Sequence, residues 1–208
     1  MSATPRDVPT PVGPARTWSE GPAGAPVLVL GHGAGGGVEA PDLLAARDGA
    51  LHAGLRVVRV EQPWRVRGRK VAEAPARLDA AWAAVLAGLD GPLVVGGRSA
   101  GARVACRTAE QVGAVGVLAL AFPLAPAGRL DRSRLPELLA PAVPRLVVQG
   151  SRDAFGVPDP APGVEVAVVR GADHAFGVRK ADARTAQGVE AEISELVGHW
   201  LAVLLGDR

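Results

Sequence analysis

The sequence has one cysteine, no tyrosine and no apolar run long enough to span a bilayer. The single Cys106 excludes an internal disulfide and any metal site built from cysteines. With no tyrosine, and with most positive charge on arginine, little titrates between neutral pH and about 9. That reconciles a pI of 9.3 with a formal net charge of only +2. So small an excess does not make the clustered basic face that nucleic-acid binding needs, and no nucleic-acid partner is expected. The longest apolar stretch, 115–126, is broken by proline and too short to cross a membrane. The first residues, "MSATPRDVPT", lack the apolar core of an export signal. A cytoplasmic protein with no membrane partner is expected.

What is present describes one globular domain over residues 1–208. Composition is 48% hydrophobic and 21% charged, and a chain of this length buries roughly 70% of its unfolded surface without staples. The 27 glycines and 18 prolines fall largely at the ends of apolar runs. After a Pro/Gly-rich lead over 1–24, those runs are "VLVLG" (27–31), "LRVVRV" (55–60), "PLVVGG" (92–97), "VGVLALAF" (115–122), "PRLVVQG" (144–150) and "VEVAVV" (164–169). Runs of this length suit strands buried on both faces, as in a parallel sheet. Helices are predicted between them over 41–53, 75–89, 100–112 and, more weakly, 130–140. In the last helix Ile193, Leu196, Val197, Trp200, Leu201 and Leu204 form one apolar stripe. Strands alternating with helices give an α/β class, a doubly wound and mostly parallel sheet. Only about twenty residues separate the fourth and fifth strands, leaving little room for a lid.

Ligands bind such sheets at the carboxyl ends of the strands. Leaving 92–97, the chain reads Gly97-Arg98-Ser99-Ala100-Gly101. Glycines on either side allow a sharp strand-to-helix turn, which lifts the hydroxyl from the sheet and sets the Ala100 amide at a helix N-terminus. Leaving 144–150 is "GSRDAFG", with Asp153; leaving 164–169 is "RGADHAFG", with His174. The order Ser99, Asp153, His174 is that of nucleophile, orienting acid and base on successive strand ends. A loop aspartate is more often a turn former, and Asp159 or Asp173 could stand in for Asp153. Three such coincidences in the right order are less plausible than one triad. His52 and His199 lie in helices, and His32 sits beside the first strand, which leaves His174 the best-placed base.

The first strand ends in "GHGAGGG". A glycine loop here can donate the second oxyanion amide; Ala34 is the expected donor, with Gly33 or Gly35 as alternatives and Ala100 supplying the first. The same loop satisfies G-x-G-x-x-G at Gly31, Gly33 and Gly36, with Glu61 ending the next strand, so a dinucleotide site competes. Pro41 falls where the phosphate-binding helix should be running, and that reading leaves Ser99, Asp153 and His174 unexplained. "WRVRGRK" (64–70) offers Arg65, Arg67 or Arg69 to an anionic substrate group, or else forms a solvated basic loop. Cys106, two helical turns past Ser99, is expected to be packed.

Together "GHGAGG", "QPWRVRGRK", "GGRSAGARVAC", "FPLAPAGR", "VVQGSRDAFG" and "DHAF" resemble the α/β-hydrolase superfamily, in a dienelactone-hydrolase-like branch without a lid. The chain is similar to small bacterial proteins related to subunit 3 of the animal NSL histone acetyltransferase complex. The resemblance implies a lidless α/β-hydrolase fold with Ser99, Asp153 and His174 in the nucleophile, acid and base positions. Ala100 stands where many relatives carry a larger residue. The expected function is hydrolysis of an ester, thioester or similar acyl bond through an acyl-enzyme on Ser99, with no metal or cofactor. His32, Arg65 and Arg98 are the candidate substrate contacts, and the expected partner is a small acyl compound, with an anionic one favoured by the arginines. The alternative is a non-catalytic scaffold that keeps the hydrolase fold.

Overall fold

A computed structural model describes residues 4–206. Six strands lie where the apolar runs predict them: β3 (Val27–Gly31), β4 (Arg56–Glu61), β5 (Leu93–Arg98), β6 (Gly116–Leu120), β7 (Arg145–Gly150) and β8 (Val164–Val169). The lead is not the plain connector its composition suggests. It carries β1 (Arg6–Val8) and β2 (Ala15–Glu20), which pair antiparallel and extend the sheet beyond β4. "RDV" and "ARTWSE" contain no apolar run because this edge of the sheet is partly exposed.

Among the described residues eight strands are ordered β1-β2-β4-β3-β5-β6-β7-β8, parallel from β4 onward. Successive side chains of one strand face opposite ways, so the sheet feeds two cores. Val27, Val29, Val95, Val117 and Val147 face one side, with Leu78, Trp82 and Val85 of helix α3 (Pro75–Leu86) and Val104 of α4 (Ala100–Thr108). Leu28, Leu30, Val94, Leu118 and Val148 face the other, against α1 (Pro41–His52) and the long α6 (Ala186–Gly206). Burying one such side chain contributes about 1.5–3 kcal/mol, which is why mostly apolar strands belong here. The remaining helices are short. α2 (Pro63–Val66), unforeseen in the sequence, starts on a proline, and the predicted 130–140 helix splits into a 3-10 turn (Leu130–Arg132) and α5 (Leu135–Leu139). Among the described residues no helix is long and apolar enough to cross a membrane.

Chain order reverses at β3: β4 lies on one side of it and β5 on the other. The loops that follow β3 and β5 therefore leave neighbouring carboxyl ends at the switch point, where a crevice opens.

Candidate active site

The turn after β5 is forced by close packing. A Cβ at Gly97 would stand 2.4 Å from the Gly31 carbonyl oxygen, and one at Gly101 2.3 Å from it, so only glycine lets the end of β3 run this near the turn. Ser99 sits between them at φ 52° and ψ −107°, a conformation that costs a non-glycine residue on the order of 1–3 kcal/mol. Its amide is pinned to the Leu120 carbonyl at 2.9 Å, and its side chain is half-buried at the mouth of the crevice.

The predicted residues come together. His174 Nε2 lies 3.1 Å from Ser99 Oγ, and Nδ1 lies 2.8 Å from Asp153 Oδ2. The carboxylate sets the proton on Nδ1, leaving Nε2 as the acceptor for the serine hydroxyl. Asp153 is buried, and its other oxygen accepts the Phe155 amide at 2.9 Å. The Phe155 ring covers the imidazole at 4.4 Å between centroids. Asp173, the alternative acid, instead accepts the amides of Ala175 and Gly177, each at 2.9 Å, and so shapes the loop that carries His174. Asp159 is exposed on the surface.

Facing the serine, the loop after β3 comes close at Gly33, where a Cβ would stand 3.5 Å from Ser99 Cβ. Among the described residues the amides of Gly33, Ala34 and Gly35 donate to no backbone acceptor, and Ala34 is exposed. The Ala100 amide opens α4, where the first turn leaves its N–H groups free. Free amides on two sides of a hydroxyl can receive a developing negative oxygen.

Two of the expected substrate contacts are otherwise occupied. His32 is buried; Nδ1 donates to the Gly33 carbonyl at 2.8 Å and Nε2 accepts the Gln62 amide at 3.1 Å. No ring nitrogen is left for a ligand, and burial lowers its pKa. Arg98 turns inward to Asp42 and to the His174 carbonyl. Of the loop arginines, Arg67 and Arg69 are drawn to Glu73. Arg65 is half-buried and has no carboxylate within ion-pair distance among the described residues, though Glu61 and His32 lie in its field. Cys106 is buried, its thiol pushed up to about 12 by desolvation, so it is no nucleophile. A dinucleotide fits poorly: α1 starts only at Pro41, and Arg98 Nη1 packs against Gly33 and Gly36.

Sequence reasoning missed Gln149. Fully buried, its Nε2 stands 2.7 Å from Asp153 Oδ2. The available signal was a polar residue inside the apolar run "RLVVQG". It also missed Asp42, for which a buried acid at a helix start gives no mark in one sequence.

The family model for the alpha/beta hydrolase domain matches residues 24–202. The chain belongs to this family. Solved structures agree on the fold of this α/β hydrolase. An alpha-beta serine hydrolase homologue from Coxiella burnetii is 21% identical with a TM-score of 0.72, over 97% of this chain and 99% of that one. A serine hydrolase without a lid from Xanthomonas campestris is 20% identical with a TM-score of 0.73, over 96% and 95%. A dienelactone hydrolase from Anabaena variabilis is 16% identical with a TM-score of 0.70, over 96% of both. A search of curated proteins found no match.

Proposed function

We propose that this α/β hydrolase is a serine hydrolase that cleaves a carboxylic ester, thioester or similar acyl bond through an acyl-enzyme on Ser99. The observation that carries the reading is the relay from Ser99 Oγ to His174 Nε2 at 3.1 Å and from Nδ1 to Asp153 at 2.8 Å. Ser99 Oγ attacks the acyl carbon while its proton passes to Nε2. The carbonyl oxygen becomes an anion held by the amides of Ala100 and Ala34. Asp153 stabilises the imidazolium, which returns the proton to the leaving alcohol or thiol as the acyl–oxygen or acyl–sulfur bond breaks. Water then repeats the sequence, giving the acid and restoring Ser99.

The lidless architecture favours short or surface-presented acyl groups over long lipid chains, and faster turnover of long-chain esters would count against this. Arg65 supports a negatively charged substrate, since a guanidinium suits carboxylate and phosphate. Arg65→Ala should then slow an anionic ester more than a neutral one with the same leaving group. From "GHGAGG", "GGRSAGARVAC" and "VVQGSRDAFG" we also infer kinship with the small bacterial relatives of the NSL subunit.

Intact-mass labelling with a fluorophosphonate tests the reading, because only an activated serine displaces fluoride from phosphorus. One adduct on the wild type, absent from Ser99→Ala and His174→Ala, is expected. A folded wild type that takes no label would favour the non-catalytic scaffold instead.

A further inference from the structure

Arg98 ends β5 immediately before Ser99, yet its side chain is largely withdrawn from solvent. Nε stands 3.1 Å from Asp42 Oδ2, and Nη2 donates to the main-chain carbonyl of His174 at 3.2 Å. Nη1 lies against the glycine loop, where a Cβ at Gly33 or Gly36 would approach it to 3.3 or 3.6 Å. One guanidinium thus touches the loops that follow β3 and β8 while belonging to the strand that carries the serine. Its counter-charge, Asp42, is only 3% exposed at the second position of α1. Burial raises the Asp42 pKa, Arg98 and the first backbone amides of α1 pull it down, and His174 lies within its field.

Stability alone does not account for this pair. Apolar residues of the same volume often replace a buried ion pair at no loss of stability. What an apolar pair could not do is donate to a carbonyl, and that carbonyl belongs to the residue whose Nε2 must stay in reach of Ser99 Oγ. We propose that Arg98, held by Asp42, is a positioning residue that fixes the His174 backbone relative to Ser99. The proposal rests on the serine-hydrolase reading above. It replaces the expected substrate contact of Arg98 with one made through the base.

The test compares fluorophosphonate labelling rates and steady-state hydrolysis of a short neutral aryl ester across three proteins. These are the wild type, the double variant Arg98→Met/Asp42→Asn, and Arg98→Lys. The double variant removes the fork without leaving a lone buried charge. It should melt near the wild type, keep KM, and lose on the order of 10- to 100-fold in kcat and labelling rate, the scale of an ångström of misplacement. Lysine keeps a charge for Asp42 but has no fork to span both partners, so Arg98→Lys should also lose kcat at constant KM.

Wild-type kcat in Arg98→Lys would overturn the proposal, since charge alone would then suffice. So would unchanged kcat with a raised KM, which would assign Arg98 to the substrate. If the double variant melts early, Arg98→Lys decides by the same two criteria. Failure of the wild type to label would overturn the hydrolase reading and this inference together, whereas a labelled wild type beside an equally fast double variant overturns this inference alone.

Discussion

The Nε2 of Gln149 is surrounded by three oxygens, those of Phe122, Asp153 and Gly156, at 3.1, 2.7 and 2.9 Å. Three acceptors around one atom fix the amide's orientation, because the flipped form would set oxygen against oxygen. Gln149 therefore donates to the same Asp153 oxygen that receives His174 Nδ1–H, and ties it to the ends of β6 and β7. Gln149→Leu would leave the carbonyls of Phe122 and Gly156 without this partner. It should destabilise by about 1–3 kcal/mol in urea denaturation and lower kcat by on the order of tenfold through a loosened Asp153. Full kcat in the folded variant would show that the Phe155 amide and His174 suffice to hold the acid. Ser99, Asp153 and His174 were legible because each stands just beyond an apolar strand, and strand ends can be read from one sequence. Gln149, Asp42 and Phe155 act through contacts between loops that are far apart in the chain or hidden in a strand, and no spacing rule reports these.

At the scale of elements, the strands were legible because both faces of the central sheet are buried, making each central strand a mostly apolar run, interrupted only at Arg59 of β4 and Gln149 of β7. The edge pair β1 and β2 escaped for the converse reason, and α2 is too short to show a helical period. Helix ends were less legible than strand ends: 75–89 and 100–112 stop at Leu86 and Thr108, since "AGL" and "AEQV", which follow them, hold no proline that would mark the stop. Glycine marks two kinds of close approach with different consequences. A Cβ at Gly49 would stand 2.2 Å from the Ser194 carbonyl oxygen, where α1 crosses α6. A Cβ at Gly101 would drive into Gly31, at the root of the loop facing Ser99. Both Gly49→Ala and Gly101→Ala should lower stability by about 1–3 kcal/mol, the usual scale of overpacking. Only Gly101→Ala should also slow fluorophosphonate labelling at a temperature where both variants are folded. Equal slowing would mean that the loops take their geometry from the α1–α6 crossing rather than from the contact between β3 and the turn.

For the molecule as a whole, pH couples to stability through His32. Desolvation lowers its pKa, Arg65 lowers it further, and its bond to the Gly33 carbonyl opposes both. Its Nε2 accepts the Gln62 amide, and the Trp64 ring lies 5.5 Å away. Protonating that nitrogen would turn an acceptor into a donor facing a donor, between the loops after β3 and β4. In the unfolded chain nothing hinders the proton, which binds near the ordinary value of about 6.5. A depressed folded pKa contributes stability that is present above about 6.5 and is lost as pH falls toward the folded value. Asp42 acts with the opposite sign: its raised pKa makes the fold take up a proton before the unfolded chain does, offsetting the loss nearer the carboxylate range. The effect of His32 is therefore best read between about pH 5.5 and 7, where it should cost up to about 1.4 kcal/mol per pH unit below 6.5. Urea denaturation at the two pH values should show this loss in the wild type and a smaller one in His32→Gln, whose amide cannot take the proton. An equal loss in both would move the sensor elsewhere. The loop facing Ser99 hangs on the same imidazole, so acid should loosen the site and the fold by one event.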